Sequence, residues 1–559
     1  MNILQYRSAN CKNCYKCIRN CPVKAIQFRK EKAKIIHHEC IYCGTCVNVC
    51  PQDAKVLRDD LPTVLQWLQE GKKVIASVAP SYVAAFGVTS FEALKKALVQ
   101  MGFYDAFETA HGASMVKSEY ERILNEEKPD LLISSCCSSL NLLIQKYYPT
   151  LIPYLAKVAS PMLAHGQYLK QQHEDAMVVF VGPCFAKKEE AENAEEHFID
   201  ATITFKELSQ YFETHQVVLE DLDCADQKLS RLFPKAGGVI QTMEPNQMYD
   251  YISVDGAKAC MEVLDELEQG NMKHIFLEMN ICEGGCVQGP GMPASRVGRM
   301  EVQRKLTKVS GKQYHLDFDH SLDTVAKVTF ENLQRGNVMP SQEQLQEIYQ
   351  RMGKVSERDF LNCGACGYDS CKEKAIAIYQ GKADVNMCLP FMKEKAETVS
   401  KQVLKVSPNA VISLDLDFKI QSFNPTAYKL FDINPNVQVL GEDIEHWLDV
   451  DQFVGVLTEG PMMDVISYLP KNQKYVEKRV VYDEDVQMIL IIMKDVTEQQ
   501  QKLEQRKSLK NNTIEITDNI INKQMRIVQE IASLLGETTA ETKVALKHLR
   551  DFVIEEEQE

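Results

Sequence analysis

No run of about 18 apolar residues occurs in the 559-residue chain, so no membrane-spanning helix is expected. The opening residues, MNILQYRSAN, lack the hydrophobic stretch of a secretory signal, and a cytoplasmic location is the expectation. Basic charge is also scarce. Lys and Arg number 63 against 78 Asp and Glu, which leaves a formal net charge of −15. A nucleic-acid binder would carry the opposite sign, so no nucleic-acid partner is expected. An acidic surface could receive a basic redox partner, although ordinary solvation explains it as well. No cysteine follows residue 388, and no kinase or phosphatase signature follows it either. The apolar share of 45% and the charged share of 25% are those of a globular protein. The length exceeds one core, so roughly three to five domains are expected.

Cysteine is what the chain has in excess. Of 19, eight fall within residues 11–50, seven within 136–286 and four within 363–388. In a large chain without a secretory signal, this points to metal ligation rather than disulfides. Cys11, Cys14, Cys17 and Cys21 precede Pro22, and Cys40, Cys43, Cys46 and Cys50 precede Pro51. Both runs read C-x2-C-x2-C-x3-C-P, 29 residues apart. This is the two-cluster ferredoxin run, in which the fourth cysteine of each run serves the other cluster. One [4Fe-4S] cluster is therefore assigned Cys11, Cys14, Cys17 and Cys50, and the other Cys40, Cys43, Cys46 and Cys21. Thiolates also suit zinc, but the doubled run with its prolines favours iron–sulfur.

Residues 72–300 alternate short apolar runs with helical patterns. KKVIASVAPS, DLLISSCCSS and AMVVFVGPCF read as strands ending in turn formers, and SFEALKKALVQMGF as a helix between them. An α/β domain with a largely parallel sheet is expected, with ligands beyond the carboxyl ends of its strands. Cys136, Cys137, Cys184, Cys282 and Cys286 all follow such runs.

SSCCSSLNLLIQKYYP (134–149), GPCFAKKEE (182–190) and EMNICEGGCVQGPGM (278–292), with VAPS (78–81) and GFYDAFET (102–109), resemble the catalytic domain of [FeFe]-hydrogenases. The resemblance implies an H-cluster: a [4Fe-4S] cubane joined to a two-iron unit carrying CO, cyanide and a dithiolate. By position it implies that Cys137, Cys184, Cys282 and Cys286 hold the cubane, and that Cys286 bridges to the two-iron unit. It implies that Cys136 passes protons, with Glu119 farther out on the path, and that Lys187 binds a cyanide. Ala79 and Pro80 match the backbone beside the two-iron unit, where amides can donate. Gly284 and Gly285 let the chain lie close to the cluster. Cys224 and Cys260 have no motif and read as structural.

The departures from that family are equally specific. Ser138, Ser139 and Leu140 follow the cysteine pair in place of a usual proline and tryptophan. Gly182 and Asn280 replace methionines, and Met162 replaces a glutamine. On the usual proton path, an outer glutamate falls at Val116 and a serine at Ala156. The second shell tunes metal sites strongly, so slow turnover is expected.

Cys363, Cys366, Cys371 and Cys388 form a further set, C-x2-C-x4-C-x16-C, after a polar helical stretch over 301–355. It looks like a small [4Fe-4S] domain, with zinc as the alternative. VSPNAVISLDLDFKIQSFNPTAYKLFDI reads as a hairpin and a helix, and VEKRVVYDEDVQMILIIMKDVTE as two strands around an acidic turn. With the Asn424-Pro425 break, this resembles a PAS domain. In the tail, Ile514, Ile521, Val528 and Leu535 recur every seven residues, with Ile520, Ile527 and Leu534 alongside, up to a break at Gly536–Thr539.

The expected architecture is multidomain α/β and α+β. It comprises a ferredoxin-like domain (1–60), an H-cluster domain (61–345), an additional [4Fe-4S] domain (346–395), a PAS-like domain (396–498) and a helical dimerisation tail (499–559). The expected cofactors are three accessory [4Fe-4S] clusters and an H-cluster. The expected partners are H2 and protons, a ferredoxin-like electron carrier, a downstream kinase or phosphatase and a second copy of the chain. The reading is a slow hydrogen or redox sensor. The alternatives are a ferredoxin-linked catalytic hydrogenase, or a non-enzymatic relative without the two-iron unit.

Overall fold

The 29-residue repeat of the cysteine runs is also a repeat of backbone. In a computed structural model, Asn13, Tyr15 and Lys24 take φ of 56°, 55° and 49°, and Tyr42, Gly44 and Asp53, each 29 residues on, take 53°, 75° and 46°. Two left-handed residues at matched positions precede each short helix, Lys16–Arg19 or Thr45–Asn48, and one follows it. The structure describes residues 3–29, 32–220, 226–270, 272–294, 297–311, 317–318, 325–336, 338–458, 460–535 and 539–555. Two units separate by their contacts, residues 1–392 and 393–559.

Within the first unit, the α/β region has two parallel sheets rather than the single sheet expected. One has the order Asp105–Glu108, Val74–Val78, Met177–Gly182, Ala201–Thr204. The other has the order Asp250–Asp255, Ile275–Asn280, Leu131–Ile133. Val74–Val78 and Ile275–Asn280 are buried at every position, because helices or loops cover both faces of each sheet. The cysteine-bearing segments leave the carboxyl ends of Leu131–Ile133, Met177–Gly182 and Ile275–Asn280. The strands of both sheets therefore aim their loops at one region.

The segment after this region is less helical than expected. Arg299–Ser310 and Gln342–Arg351 are helices, but residues 325–336 form no regular element. They lie along the α/β region: Ala159 N–H donates to Ala326 O, Ala326 N–H to Gln167 Oε1 and Leu333 N–H to Gln145 O. Backbone groups satisfied by a neighbouring surface have no need of a helix.

The fourth cysteine set packs against the N-terminal module. Residues 361–390 share a core with the N-terminal module, where Ile18, Ile26 and Phe28 pack with Tyr368, Ala377 and Met387. Phe28 N–H donates to Lys382 O at 2.7 Å, Lys24 Nζ to Gly367 O at 3.1 Å and Arg19 to Ala365 O at 3.1 Å. Gly367, at φ +94°, lies so near Ile18 that a Cβ there would stand 3.0 Å from its side chain.

The second unit has a five-stranded antiparallel sheet in the order Ile420–Phe423, Ala410–Leu414, Met488–Asp495, Lys474–Asp483, Met462–Leu469. Asn424 ends the first hairpin and caps helix Pro425–Leu430, accepting from Ala427 N–H. Helices Thr497–Leu535 and Thr539–Glu555 follow and touch one another. Gly536–Thr538, the expected break, lies outside the described residues. Ile514, Ile521 and Val528 are half-buried, whereas Ile520 and Ile527 are exposed. No helix among the described residues is long and apolar enough to cross a membrane.

Lys188 fastens the N-terminal segment to the α/β region. Its side chain is fully buried, with Nζ 2.9 Å from both Asp60 and Glu207, which are 14% and 9% exposed. Replacing Lys188 with methionine leaves buried Glu207 without its cation, whereas Asp60 keeps Arg58 at 2.6 Å, at an expected cost of about 3–5 kcal/mol. The check is a urea midpoint from Trp67 fluorescence, measured in a Trp447→Phe background so that one tryptophan reports.

Candidate active site and cluster ligands

Cys11, Cys14, Cys17 and Cys50 line one cavity, together with Ile18, Phe28 and Ala33. The crossed assignment of Cys50 to the first run therefore has a spatial counterpart. Cys21 sits instead with the second run. Burial pushes its thiol up to about 12, and Cys43 and Cys40 beside it push the same way. Cys46 is raised by burial and then by Cys40, Cys43 and Cys21. A thiolate in such a place requires a cation, and iron supplies one. The donor set thus fits a resident cluster.

The four central cysteines arrive from three strand ends. Cys137 caps helix Ser138–Tyr147, Cys184 follows Met177–Gly182, and Cys282 and Cys286 follow Ile275–Asn280. Burial pushes Cys184 up to about 11, with Cys137 adding to the rise and the Lys187 ammonium opposing it. Cys282 is raised by burial, then by Cys184, Cys286, Cys137 and Cys43. The four thus converge, and Cys43 of the second ferredoxin run lies beside them. Gly285 makes the last loop possible: at φ +82°, a Cβ there would stand 2.6 Å from Ala236 N and Pro234 O.

Lys187 Nζ is 2.6 Å from Glu190 Oε2 and 3.3 Å from Cys136 O. Burial works against its charge, but Glu190 holds its pKa above the usual value. Glu190 Oε2 also accepts from Ser138 Oγ at 2.9 Å and Ser160 Oγ at 3.1 Å. Ser138, one of the departures noted above, thus has a definite contact.

The structure differs from expectation at Ala79 and Pro80. Ala79 N–H donates to Val181 O at 2.9 Å and Pro80 has no N–H, so neither amide is available. Next in the chain, the Ser81 hydroxyl is buried without a hydrogen-bond partner. Gly182 leaves room that Phe180 fills, since a Cβ at Gly182 would stand 2.5 Å from that ring. Asn280 donates to Glu278 Oε1 at 3.2 Å, and Met162 lies in the core with Ala79 and Phe180. Glu119 does not reach Cys136: its carboxylate takes two bonds from Arg122, at 2.8 and 3.0 Å. Tyr120 is there instead, its hydroxyl 3.3 Å from Cys136 Sγ. Tyr120 is four residues beyond buried Val116 on helix Ala110–Glu126 and so shares its face, but only the packing of that helix brings the hydroxyl to Cys136. Cys260 is fully buried and donates to Asn280 O, whereas Cys224 lies outside the described residues.

Cys363, Cys366, Cys371 and Cys388 line a cavity with Met352, Tyr368 and Lys374. Lys374 is buried there. Burial lowers its pKa, and Cys388, Cys366 and Cys371 work the other way. Among the described residues, no three His, Cys, Asp or Glu side chains approach closely enough to hold a single metal ion.

Residues 72–290 match the family model of the iron-only hydrogenase large subunit, C-terminal domain. Residues 3–51 match the 4Fe-4S dicluster domain, and residues 361–390 match an FeS cluster family. The NADP-reducing hydrogenase subunit HndD of Solidesulfovibrio fructosivorans is 25% identical over 48% of this chain, which spans 58% of HndD. The periplasmic [Fe] hydrogenase large subunit of Nitratidesulfovibrio vulgaris is 27% identical over 52% of this chain and 87% of its own length. The cytosolic Fe-S cluster assembly factor narfl of Danio rerio is 22% identical over 43% of this chain and 77% of its own. A solved [FeFe]-hydrogenase of Chlamydomonas reinhardtii is 20% identical, with a TM-score of 0.38 over 45% of this chain and 89% of its own. The chain is thus an iron–sulfur, hydrogenase-like protein with a ferredoxin-type N-terminus.

Glu278 was not singled out from sequence. It is buried beside Asn280 and pushed up to about 7, chiefly by burial. Below the unfolded value of about 4.5 both states hold the proton; between about 4.5 and 7 only the folded state does. Stability is therefore lost as pH rises through that window, by on the order of 3 kcal/mol. Glu278→Gln should flatten the dependence. The check is the change in urea midpoint between about pH 5 and about pH 8 in both proteins.

Proposed function

We propose that the protein is a sensor of hydrogen or of redox state, built on a hydrogenase-type centre of low turnover. The observation that carries this is the convergence of Cys137, Cys184, Cys282 and Cys286 from three strand ends, with Cys136 and Lys187 against them. The four thiolates would hold a cubane, and Cys286 would be the ligand it shares with the two-iron unit. When bound, the two-iron unit supplies the site where hydrogen is split or formed. Lys187, kept charged by Glu190, places a fixed ammonium at the site for an anionic ligand. Ser81 offers a hydroxyl with no other partner.

Cys40, Cys43, Cys46 and Cys21 would hold the next cluster, and Cys43 lies beside Cys137 and Cys282, so that cluster would be placed to exchange electrons with the central site. Cys11, Cys14, Cys17 and Cys50 would hold a further cluster on the way to a ferredoxin-type carrier. Cys363, Cys366, Cys371 and Cys388 would hold another, and Tyr368 lies beside both Cys366 and Cys21 between the two sets. The antiparallel sheet of the second unit, with its Asn424 cap, supports a PAS-type domain downstream. The exposed apolar positions of helix Thr497–Leu535 suit a homodimer that presents the signal to a kinase or phosphatase.

A second reading is favoured by the altered positions Gly182, Asn280 and Met162: a cubane-only protein, as the likeness to an assembly factor would suit. Infrared spectroscopy of anaerobically matured protein separates the two. The sensor reading expects bands of metal-bound CO and cyanide, with about sixteen irons in four cubanes. Cys286→Ser should abolish the bands, and Cys260→Ala should keep them. A wild-type spectrum without such bands selects the cubane-only reading, and stoichiometric zinc in place of iron removes both.

A further inference from the structure

The usual route for protons is closed in this chain, because Val116 and Ala156 are buried side chains with nothing to donate or accept. Another set of groups stands at Cys136. The Tyr120 hydroxyl is 3.3 Å from Cys136 Sγ and 3.0 Å from Ser135 Oγ. Ser135 is itself buried, but it lines a solvent-open cavity of about 680 Å³. Asn141 lines the same cavity, is 5% exposed, and donates through Nδ2 to Ser135 O at 2.9 Å. Its Oδ1 is buried with no hydrogen-bond partner, which suits it to hold a water beside Ser135.

We propose that Tyr120 and Ser135 carry protons between Cys136 and this cavity, in place of the residues lost at Val116 and Ala156. The proposal rests on the hydrogenase-type reading of the site, which gives Cys136 protons to move. Each member can donate one hydrogen and accept another. For a proton moving inward, a protonated water in the cavity passes its extra hydrogen to Ser135 Oγ and is left as neutral water. The Ser135 hydrogen, which rests on Val158 O at 2.8 Å, turns and passes to the Tyr120 oxygen. The Tyr120 hydrogen passes to Cys136 Sγ, and the hydrogen already on Cys136 moves into the site. One O–H or S–H bond forms for each that breaks, and no electron moves along the chain. Both spacings are within reach of direct transfer, whereas Glu119 is held away by Arg122.

Tyr120→Phe removes one oxygen and keeps the ring that packs on Phe276, 5.7 Å between centroids. Two measurements on matured full-length protein test the relay. The first is hydrogen oxidation at matched intensity of the CO and cyanide bands. Tyr120→Phe and Ser135→Ala should each lose about a hundredfold, and Ser135→Thr should recover most of it. The second needs no turnover. With the ligand cysteines bound to iron, S–H stretching arises only from the remaining thiols, and subtraction of Cys136→Ala isolates Cys136. Its band should move to higher frequency in Tyr120→Phe. A wild-type rate in Tyr120→Phe with the bands intact overturns the relay while the hydrogenase-type reading stands. An unmoved S–H band overturns the Tyr120–Cys136 contact. A wild-type spectrum with no CO or cyanide bands overturns the reading, and the relay falls with it.

Discussion

A thiolate buried among apolar side chains is tolerated only beside positive charge. Most of the architecture of residues 1–392 follows from that constraint. Cys21, Cys40, Cys46, Cys184, Cys282 and Cys286 are all held up by burial, and the neighbouring cysteines raise most of them further. Such a concentration of soft, easily ionised groups is unfavourable as a bare protein core and favourable around iron. The cations the chain itself provides are few and fixed. Lys187 stands at the central set and Lys374 at the fourth, each buried and each with defined acceptors.

The same constraint bears on how the parts assemble. Residues 361–390 could have hung on a linker, since their own cavity already contains all four of their cysteines. They are instead seated on the N-terminal module by a core of Ile18, Phe28, Tyr368 and Met387 and by backbone hydrogen bonds. Packing of this kind holds neighbouring cysteine sets at a fixed separation, which a flexible linker cannot do. Cys43 has a comparable place toward the central set.

Around the central site, polar groups have been reassigned. Ser138, where the family has a proline, is a donor to Glu190, and Phe180 occupies the room beside Gly182. Tyr120 meets Cys136 from the helix face on which Val116 has lost the usual carboxylate. A site of this kind can keep its ligands while changing its neighbours, and neighbours govern how fast protons arrive.

Much of this was legible in sequence where spacing along the chain equals spacing in space. The doubled cysteine run foretold that Cys50 would share a cavity with Cys11, Cys14 and Cys17, because a 29-residue repeat carries its left-handed turns with it. The cysteine-bearing strand ends were legible because fully buried parallel strands are continuous apolar runs. Other features depend on groups far apart in sequence that meet only in the fold. The division of the strands into two sheets, the seating of Gly367 on Ile18 and the anchoring of Lys188 between Asp60 and Glu207 are contacts across more than one element. Glu119 and Tyr120 are neighbours in sequence, yet one meets Arg122 and the other Cys136, because adjacent residues on a helix face different ways. The sequence by itself determined which side chains can hold iron, because ligand chemistry is local. Only the tertiary structure decided which hydroxyls stand beside Cys136, because that is settled by how a helix packs against a strand end.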